Sequence, residues 1–266
     1  MKITVLTIDS VPLIGGIANY LNGLMSASVE NVEWVLRTSA PGSNEEDQVL
    51  PYPAHRFKIT PRLLGKRFGD GFVPVRKLNS LRWHRAKKKA GQQLVGNAIT
   101  EDCPDLFVIG RWSEDTHWWC SACRDMHIPY IIFAFGKELI VSVSSSLEGA
   151  RREDFSGARI VFADSKRVAG LVEALNGGSS PVRVMNPGIS PGKYDILPEE
   201  VLDSEMRKFG LSSRLFILAM GRLVHRKGFD LTVEAFDRIA EDWPEVDLVI
   251  AGDGDDRREI EVTMEN

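Results

Sequence analysis

The chain has 266 residues, of which 43% are hydrophobic and 26% are charged, the balance of an ordinary globular protein with one large or two modest domains. Three cysteines are an odd number, which argues against a disulfide framework and is expected of a protein in the reducing cytoplasm. No apolar run approaches the ~20 residues that a transmembrane helix requires, and the opening MKITVLTIDS is typical of a β-strand rather than a signal peptide.

Strand-like and helical segments alternate along the first 187 residues. The predicted strands are Lys2–Ile8, Glu33–Arg37, Leu106–Ile109, Tyr130–Phe133, Arg159–Ala163 and Pro181–Met185. The predicted helices are Ile17–Ser28, Val75–Ile99, Ser113–Met126 and Lys166–Leu175. This alternation predicts an α/β fold with a Rossmann-like, doubly wound parallel sheet. Pro-Gly pairs that begin at Pro187 and Pro191 indicate the exit from a first domain, which we place at residues 1–187.

Positive charge is concentrated in residues 56–89, which we call the basic block. The chain has a net charge of −4, yet this block contains twelve Lys and Arg against one acid, so it carries +11 and the remainder −15. Such a block indicates an anionic partner. An anionic membrane surface or acceptor is one interpretation, and an exposed, solvated basic face is the other. The predicted contact residues are Arg82, Trp83, Arg85, Lys87, Lys88 and Lys89. Nucleic acid is not expected, because no nucleic-acid-binding motif accompanies the charge.

Two short patterns in the first domain have both a functional and a structural interpretation. Gly15-Gly16 follows the first strand, where glycine lets backbone N–H groups approach an anion or a sugar, or simply makes a tight turn. The segment His117–His127 spells H-x-x-C-x-x-C-x-x-x-H, a spacing compatible with zinc. Helical spacing turns Cys120 and Cys123 inward, however, and there a free cysteine packs as a small hydrophobic residue. Packing is therefore the favoured interpretation.

The segment from Leu215 to Phe236, LFILAMGRLVHRKGFDLTVEAF, carries the most information. Its first six residues predict a strand buried on both faces, and Gly228 opens an amphipathic helix. Arg222, Arg226 and Lys227 stand between the two, at the carboxyl edge of a parallel strand and beside a helix N-terminus. Open α/β sheets bind phosphorylated ligands at that position. The alternative is a basic connection with solvated side chains.

The order of several motifs resembles the family 4 glycosyltransferases of the GT-B fold. G-R-L-x-x-x-K-G at 221–228 is followed by the amphipathic helix and by VDLVIAGDG at 246–254. Upstream, FAFGKEL at 133–139 is similar to the family's F-x-H-G-K-E-L segment, and the Gly15-Gly16 pair is similar to its N-terminal glycine loop. Each motif is weak alone, but the ordered set covers nearly the whole chain.

The resemblance implies transfer of a sugar from a nucleotide diphosphate sugar to a glycan or lipid-linked acceptor, with retention of configuration. It implies that Arg222 and Lys227 are catalytic and stabilise the leaving diphosphate, without a metal or other cofactor. The residues implied in donor or acceptor binding are Gly15, Gly16, Phe135, Gly136 and Glu138. Such an enzyme of polysaccharide biosynthesis is expected in the cytoplasm, peripheral on the inner face of the membrane.

Two features depart from the family pattern. Phe135 stands where the family usually has a histidine close to the transferred sugar, and a phenyl ring cannot make the same hydrogen bonds. Residues 188–266 contain only the first βαβ part of the donor-binding domain, which buries a marginal core, so a chain truncated inside that domain is expected. The alternative function is therefore a non-catalytic remnant or binding subunit, which a separate C-terminal fragment would complement. An unrelated Rossmann-type nucleotide-binding module is disfavoured, because the first glycine loop lacks G-x-G-x-x-G spacing.

Overall fold

The computed structural model describes residues 1–13, 15–27, 29–57, 73–141, 144–189, 195–211 and 215–265, with the side chains of 73–82, 145 and 265 excepted. The chain divides into two compact units, Met1–Ser190 and Pro191–Asn266, which we call unit 1 and unit 2. Among the described residues, no helix is both long enough and apolar enough to cross a membrane.

Unit 1 is built on a parallel sheet of seven strands in the order β3-β2-β1-β4-β5-β6-β7. The strands are β1 (Lys2–Thr7), β2 (Glu33–Thr38), β3 (Ala54–Arg56), β4 (Leu106–Ile109), β5 (Tyr130–Ala134), β6 (Ile160–Ala163) and β7 (Val182–Val184). The predicted α/β fold with a Rossmann-like sheet is confirmed. Strand β3 was not predicted, because its three residues, AHR, contain no apolar run.

The helices of unit 1 connect these strands. They are α1 (Gly16–Ser26), α2 (Asn44–Gln48), α3 (Val73–Asp102), α4 (Glu114–Asp125), α5 (Lys137–Ile140), α6 (Ser145–Gly157) and α7 (Lys166–Asn176). Local sequence sets several of their starts. The hydroxyl of Ser113 accepts a hydrogen bond from the backbone N–H of Thr116, and that of Ser165 accepts one from Val168, so each serine caps the helix that follows it.

The core of unit 1 lies on both faces of the sheet. Strand β1 is buried from its second residue onwards, and Val5 and Leu6, which point to opposite faces, are fully buried. Val5 packs in one apolar cluster and Leu6 in another. Two-sided burial of this kind is what a parallel sheet covered by crossover helices requires.

A buried ion pair ties β2 to the end of α3. Arg37 donates from Nε and Nη2 to the carboxylate of Asp102, at 2.6 and 2.8 Å, and the Thr4 hydroxyl donates to the same carboxylate at 3.1 Å. Burial alone would raise the pKa of Asp102, but its hydrogen bonds and the charge of Arg37 outweigh burial and lower it below the ordinary value. The pair therefore stabilises the fold in its charged form.

The His-Cys segment on α4 packs around a second buried carboxylate, that of Asp154. This carboxylate accepts hydrogen bonds from Trp112 Nε1 at 2.8 Å and Arg124 Nη1 at 2.5 Å, and it lies 2.8 Å from His117 Nδ1. Cys120 and Cys123 are fully buried, as the helical spacing predicted, and burial raises the pKa of both thiols. The two cysteines are protonated core residues, and His117 belongs to a polar network.

Unit 2 contains α8 (Glu199–Lys208), β8 (Leu215–Met220), a 3-10 turn (His225–Lys227), α9 (Phe229–Ala240), β9 (Val246–Ala251) and α10 (Arg257–Glu265). Strands β8 and β9 form a parallel pair. The unit's apolar core is small. Its fully buried members are Leu223, Phe229, Val233 and Ile260, and Ala219, Leu248 and Ile250 pack against them.

The prediction that β8 is buried on both faces is wrong. Ala219 packs on the core, while Leu218 and Met220, which alternate with it and so point the other way, are 53% and 77% exposed. Ile217, on the same face as Ala219, is itself 47% exposed, so the described part of unit 2 covers that face only in part. The apolar run identified the strand correctly, but the described residues do not supply the second layer that such a run normally packs against.

Candidate functional site

The loop between β8 and α9, residues 221–228, carries the cations predicted to bind phosphate. Arg222 lies just beyond the carboxyl end of β8, and Arg226 and Lys227 lie in the 3-10 turn that precedes α9. All three side chains are exposed, and the described residues give none of them an ion-pair partner. The loop therefore presents uncompensated positive charge at the carboxyl edge of a parallel strand.

Helix α9 adds its N-terminus to this loop. Gly228 is its N-cap and has φ 67°, a left-handed conformation that favours glycine, and no side chain caps the helix. The first backbone N–H groups of a twelve-residue helix then carry a partial positive charge without a side-chain acceptor. Cationic side chains and unoccupied helix N–H groups together suit a phosphate group.

The Gly252-Asp253-Gly254 turn holds the loop in place. Leu223 N donates to Asp253 O at 2.9 Å, and Gly221 N donates to Ala251 O at 3.0 Å. A Cβ at Gly252 would lie 1.8 Å from Gly221 O, and one at Gly254 would lie 2.1 Å from Leu223 O. Only glycine fits at both positions. The glycines at 252 and 254 therefore let this segment run against the backbone on both sides of Arg222.

The pocket beside the loop has the wrong charge for a diphosphate. It is lined by Val224, His225, Phe229, Asp230, Asp256, Glu259 and Ile260. Three of these side chains are acids, which would repel phosphate oxygens. The exposed side of the loop, where Arg222 and Lys227 lie, is the better candidate site.

In unit 1 the predicted site residues gather at the carboxyl edge of the sheet. Gly15 is the N-cap of α1 and has no side chain within 4 Å of the place where a Cβ would stand, and the same is true of Gly16. These two glycines are not required by local packing. Gly15 is partly exposed and Gly16 exposed at the start of α1, so their backbone leaves room for a ligand to approach.

The ring of Phe135 packs against two other aromatic side chains at this edge. Its ring lies edge-on to Tyr20 at 5.4 Å between centroids and stacks on Phe133 at 6.5 Å. The hydroxyl of Tyr20 donates to Met185 O at 3.1 Å, and burial, helped by the charge of Asp164, raises the pKa of Tyr20 to about 12. Phe135 thus belongs to an aromatic cluster that joins α1, β5 and the end of β7.

Gly136 and Glu138 shape the turn that follows β5. Gly136 has φ 93°, so a side chain there would be strained. Glu138 is 7% exposed, and its Oε1 accepts a hydrogen bond from Phe135 N at 2.6 Å. Burial raises the pKa of Glu138, although this hydrogen bond and the charge of Arg111 oppose the rise. Glu138 lies in the first turn of α5 and holds the turn that precedes it, while its contact with a ligand stays a prediction.

An ion pair that the sequence analysis did not identify lies at the same edge. Arg111 Nε donates to Asp9 Oδ2 at 2.7 Å, and the side chains are 24% and 27% exposed. Asp9 follows β1 and Arg111 follows β4, and these two strands are neighbours in the sheet. Each residue comes two positions after the last residue of its strand. A search for charged residues just after the predicted strands would therefore have found both of them in the sequence.

The basic block lies only partly within the described residues. The side chain of Arg82 lies outside them, as do residues 58–72. Lys87 is 6% exposed and paired with Asp115, so its prediction as a membrane contact is corrected: a buried, paired ammonium does not face an external surface. Lys88 pairs with Asp125 at 3.0 Å, and Trp83 accepts a cation–π contact from Lys87. Arg85 and Lys89 are exposed.

Part of the chain is similar to proteins of a known family. Residues 203–266 match the model of the glycosyl transferases group 1 family. Mannosylfructose-phosphate synthase of Agrobacterium fabrum is 29% identical over 96 residues, which are 36% of this chain and 21% of that protein. Both matches support a glycosyltransferase family, and the family-model match includes Arg222, Lys227 and the glycine turn.

Solved structures decide the fold. HepE of Anabaena, in complex with UDP, superposes on the whole chain with a TM-score of 0.68 at 14% identity, and a glycosyltransferase of Rickettsia africae does so with 0.69 at 14%. The fold is that of the GT-B glycosyltransferases. The chain spans 66% of the length of HepE and 65% of that of the Rickettsia protein. Within this GT-B fold, the loop 221–228 and the Asp9–Arg111 edge are two separate candidate sites.

Proposed function

We propose that the chain acts in a retaining, family 4-like glycosyltransferase that uses a nucleotide diphosphate sugar and a glycan or lipid-linked acceptor. In this proposal, Arg222 and Lys227 bind the donor diphosphate, and the carboxyl edge of unit 1 binds the acceptor. The observation that carries it is the set of exposed cations at the end of β8, next to the uncapped N-terminus of α9. HepE, a neighbour of the same fold, is described in complex with UDP-glucose.

The chemistry follows from the charge that develops during transfer. As the glycosidic bond breaks, negative charge grows on the departing diphosphate, and fixed positive groups lower the barrier by stabilising that charge. Arg222 offers a planar guanidinium that can donate to two oxygens, whereas Lys227 acts as a compact charge. The nucleotide sugar is a co-substrate, and the proposal involves no further cofactor.

Titration calorimetry with UDP tests the donor site. Arg222→Ala and Lys227→Ala should each weaken binding by about tenfold or more, because a hydrogen bond to a charged group contributes about 1.5–3 kcal/mol. Arg226→Ala is the matched control, since it removes a cation from the same loop that the resemblance does not assign to the diphosphate. We expect its affinity for UDP to stay within about twofold of the wild type, since an exposed charge that makes no direct hydrogen bond contributes little.

Two results would contradict the proposal. One is the absence of UDP and GDP binding to the full chain. The other is an equal loss in all three variants, which would reduce the loop to a general positive charge that attracts any anion.

Phe135 favours the alternative function, a non-catalytic remnant or binding subunit. Its ring is committed to the cluster with Tyr20 and Phe133, so it offers no hydrogen bond to a reacting sugar. The two functions differ in turnover. Slow release of UDP from UDP-glucose by the full chain, lost in Arg222→Ala, supports the enzyme, whereas UDP binding without turnover supports the binding subunit.

A further inference from the structure

The carboxyl ends of β1 and β4 mark a special position in the sheet of unit 1. In the order β3-β2-β1-β4-β5-β6-β7, the chain winds outward in one direction from β1 and in the other from β4. In open α/β sheets this change of direction opens a crevice outside the carboxyl ends of the two strands, and ligands bind there. The two charged side chains that directly follow these strands are Asp9 and Arg111.

The backbone around this pair is fixed. The Thr7 hydroxyl accepts a hydrogen bond from Asp9 N and donates one to Asp9 O, both at 3.0 Å. Gly110 N donates to Leu6 O at 2.9 Å, and a Cβ at Gly110 would lie 2.7 Å from the side chain of Thr7. The glycine therefore lets β4 run close to β1, and the close approach brings Arg111 to Asp9.

The pair keeps most of its hydrogen-bonding capacity. Within the described residues, Arg111 uses Nε alone, and Asp9 uses Oδ2 alone. Arg56, in the same unit, is the contrast: all three of its nitrogens donate, to Asp47, Val11, Ala40 and Pro41. Arg56 is a structural arginine whose donors are saturated. Arg111 is held by one bond and leaves Nη1 and Nη2 for another partner.

We propose that Asp9 and Arg111 bind two neighbouring hydroxyl groups of an uncharged sugar ring, which deepens and rests on the acceptor role proposed for unit 1. A hydroxyl both donates and accepts, so one hydroxyl can donate to Asp9 Oδ1 while the next accepts from Arg111. Asp9 and Arg111 are neutral as a pair, and Glu138, whose pKa responds to the charge of Arg111, adds a second acid to the surroundings of Arg111. An anionic ligand would meet the carboxylate of Asp9 and the acid of Glu138, so the charges select against anions.

The test is a titration of the full, isotopically labelled chain followed by NMR. The signals are the Nε–H of Arg111 and the backbone amides of Asp9 and Gly110, and the probes are methyl α-glucoside, methyl α-mannoside, methyl α-galactoside and methyl phosphate. We expect at least one glycoside to shift these signals saturably, and methyl phosphate not to. Arg111→Lys and Asp9→Asn should weaken that glycoside about tenfold, because each loses part of the paired donor–acceptor geometry.

The control variant is Arg152→Lys, which changes an exposed arginine on α6 and should leave glycoside binding unchanged. Amide dispersion in the same spectra shows whether each variant is folded. If a variant is unfolded, the response of the wild-type signals to the glycosides tests the proposal by itself. The proposal is overturned if no glycoside shifts the three signals, if methyl phosphate alone does, or if both variants bind glycoside like the wild type.

UDP added to the same samples separates this proposal from the donor site. Shifts at Gly221 and Gly228 with UDP, without a response of Arg111 to any glycoside, overturn the sugar site alone. A glycoside response without UDP binding leaves the sugar site standing and overturns the donor assignment.

Discussion

Strands β1 and β8 have the same length and the same parallel pairing but very different surroundings. Strand β1, KITVLT, has three apolar residues of six, whereas all six residues of β8, LFILAM, are apolar. Leu6 in β1 is fully buried, whereas Leu218 in β8 is 53% exposed. An apolar run is therefore enough to predict a strand. Whether the strand is buried depends on the helices that other segments of the chain pack against it.

The largest expected loss of stability is in unit 1, whose sheet is covered on both faces. Replacing Asp154 by alanine removes the carboxylate that faces Trp112, His117 and Arg124, and it leaves a partly buried guanidinium without its main partner. Breaking such a buried network should lower the unfolding free energy of unit 1 by about 3–5 kcal/mol. Urea denaturation followed by tryptophan fluorescence measures it, since only Trp243 lies outside unit 1.

Glu205→Ala in unit 2 is the control for that variant. Its ion pair with Lys208 is exposed, so its loss should cost less than about 1 kcal/mol. A cost for Asp154→Ala as small as this would mean that the network around it contributes little to stability.

A second pair of variants compares the two strands directly. Leu6→Ala should destabilise unit 1 by about 2–5 kcal/mol, because it leaves a cavity in a packed core. Leu218→Ala should cost unit 2 less than about 1 kcal/mol, because the leucine is already half in solvent. Fluorescence-detected unfolding reports the first, and hydrogen exchange of the β8 and β9 amides reports the second. Equal costs would show that Leu218 is covered in solution, for example by association, which light scattering detects.

A smaller effect is expected from pH. The pKa of Asp102 is lowered in the folded protein, so its contribution to stability is fully present above the unfolded value, near 4, and is lost as pH falls through the folded value. Unit 1 should therefore lose stability below about pH 4, and Asp102→Asn should show a shallower dependence in that range. An unchanged slope in the variant would assign the acid sensitivity to other carboxylates.

How far the sequence predicted the molecule can be seen at particular residues. Five of the six predicted strands of unit 1 contain adjacent apolar residues, and the sixth, β7, alternates as VRV. The short strand β3 escaped prediction because it has no such pattern. The exposure of Leu218 was also missed, since periodicity describes a strand's own faces and not what packs against them.

The candidate sites also differ in whether a local sequence pattern could reveal them. Arg222 and Lys227 could be proposed from the sequence because the cations, the glycine and the helix of this candidate loop are contiguous in the chain. Asp9 and Arg111 are 102 positions apart, and only the order of strands brings them together. Lys87 was misassigned for the converse reason, because its partner Asp115 lies on another helix and no local pattern reveals the pairing.

The glycine turn at residues 252–254 makes the position of the loop 221–228 dependent on a segment that lies later in the chain. Leu223 is anchored to Asp253, so Arg222 reaches its position only when β9 has paired with β8. A nucleotide held by Arg222 and Lys227 would then bind the paired state alone and would stabilise unit 2 in proportion to the logarithm of its concentration. Binding of the nucleotide to this loop would therefore report whether unit 2 is folded. Because the core of unit 2 is so small, bound ligand would make up a large share of its stability.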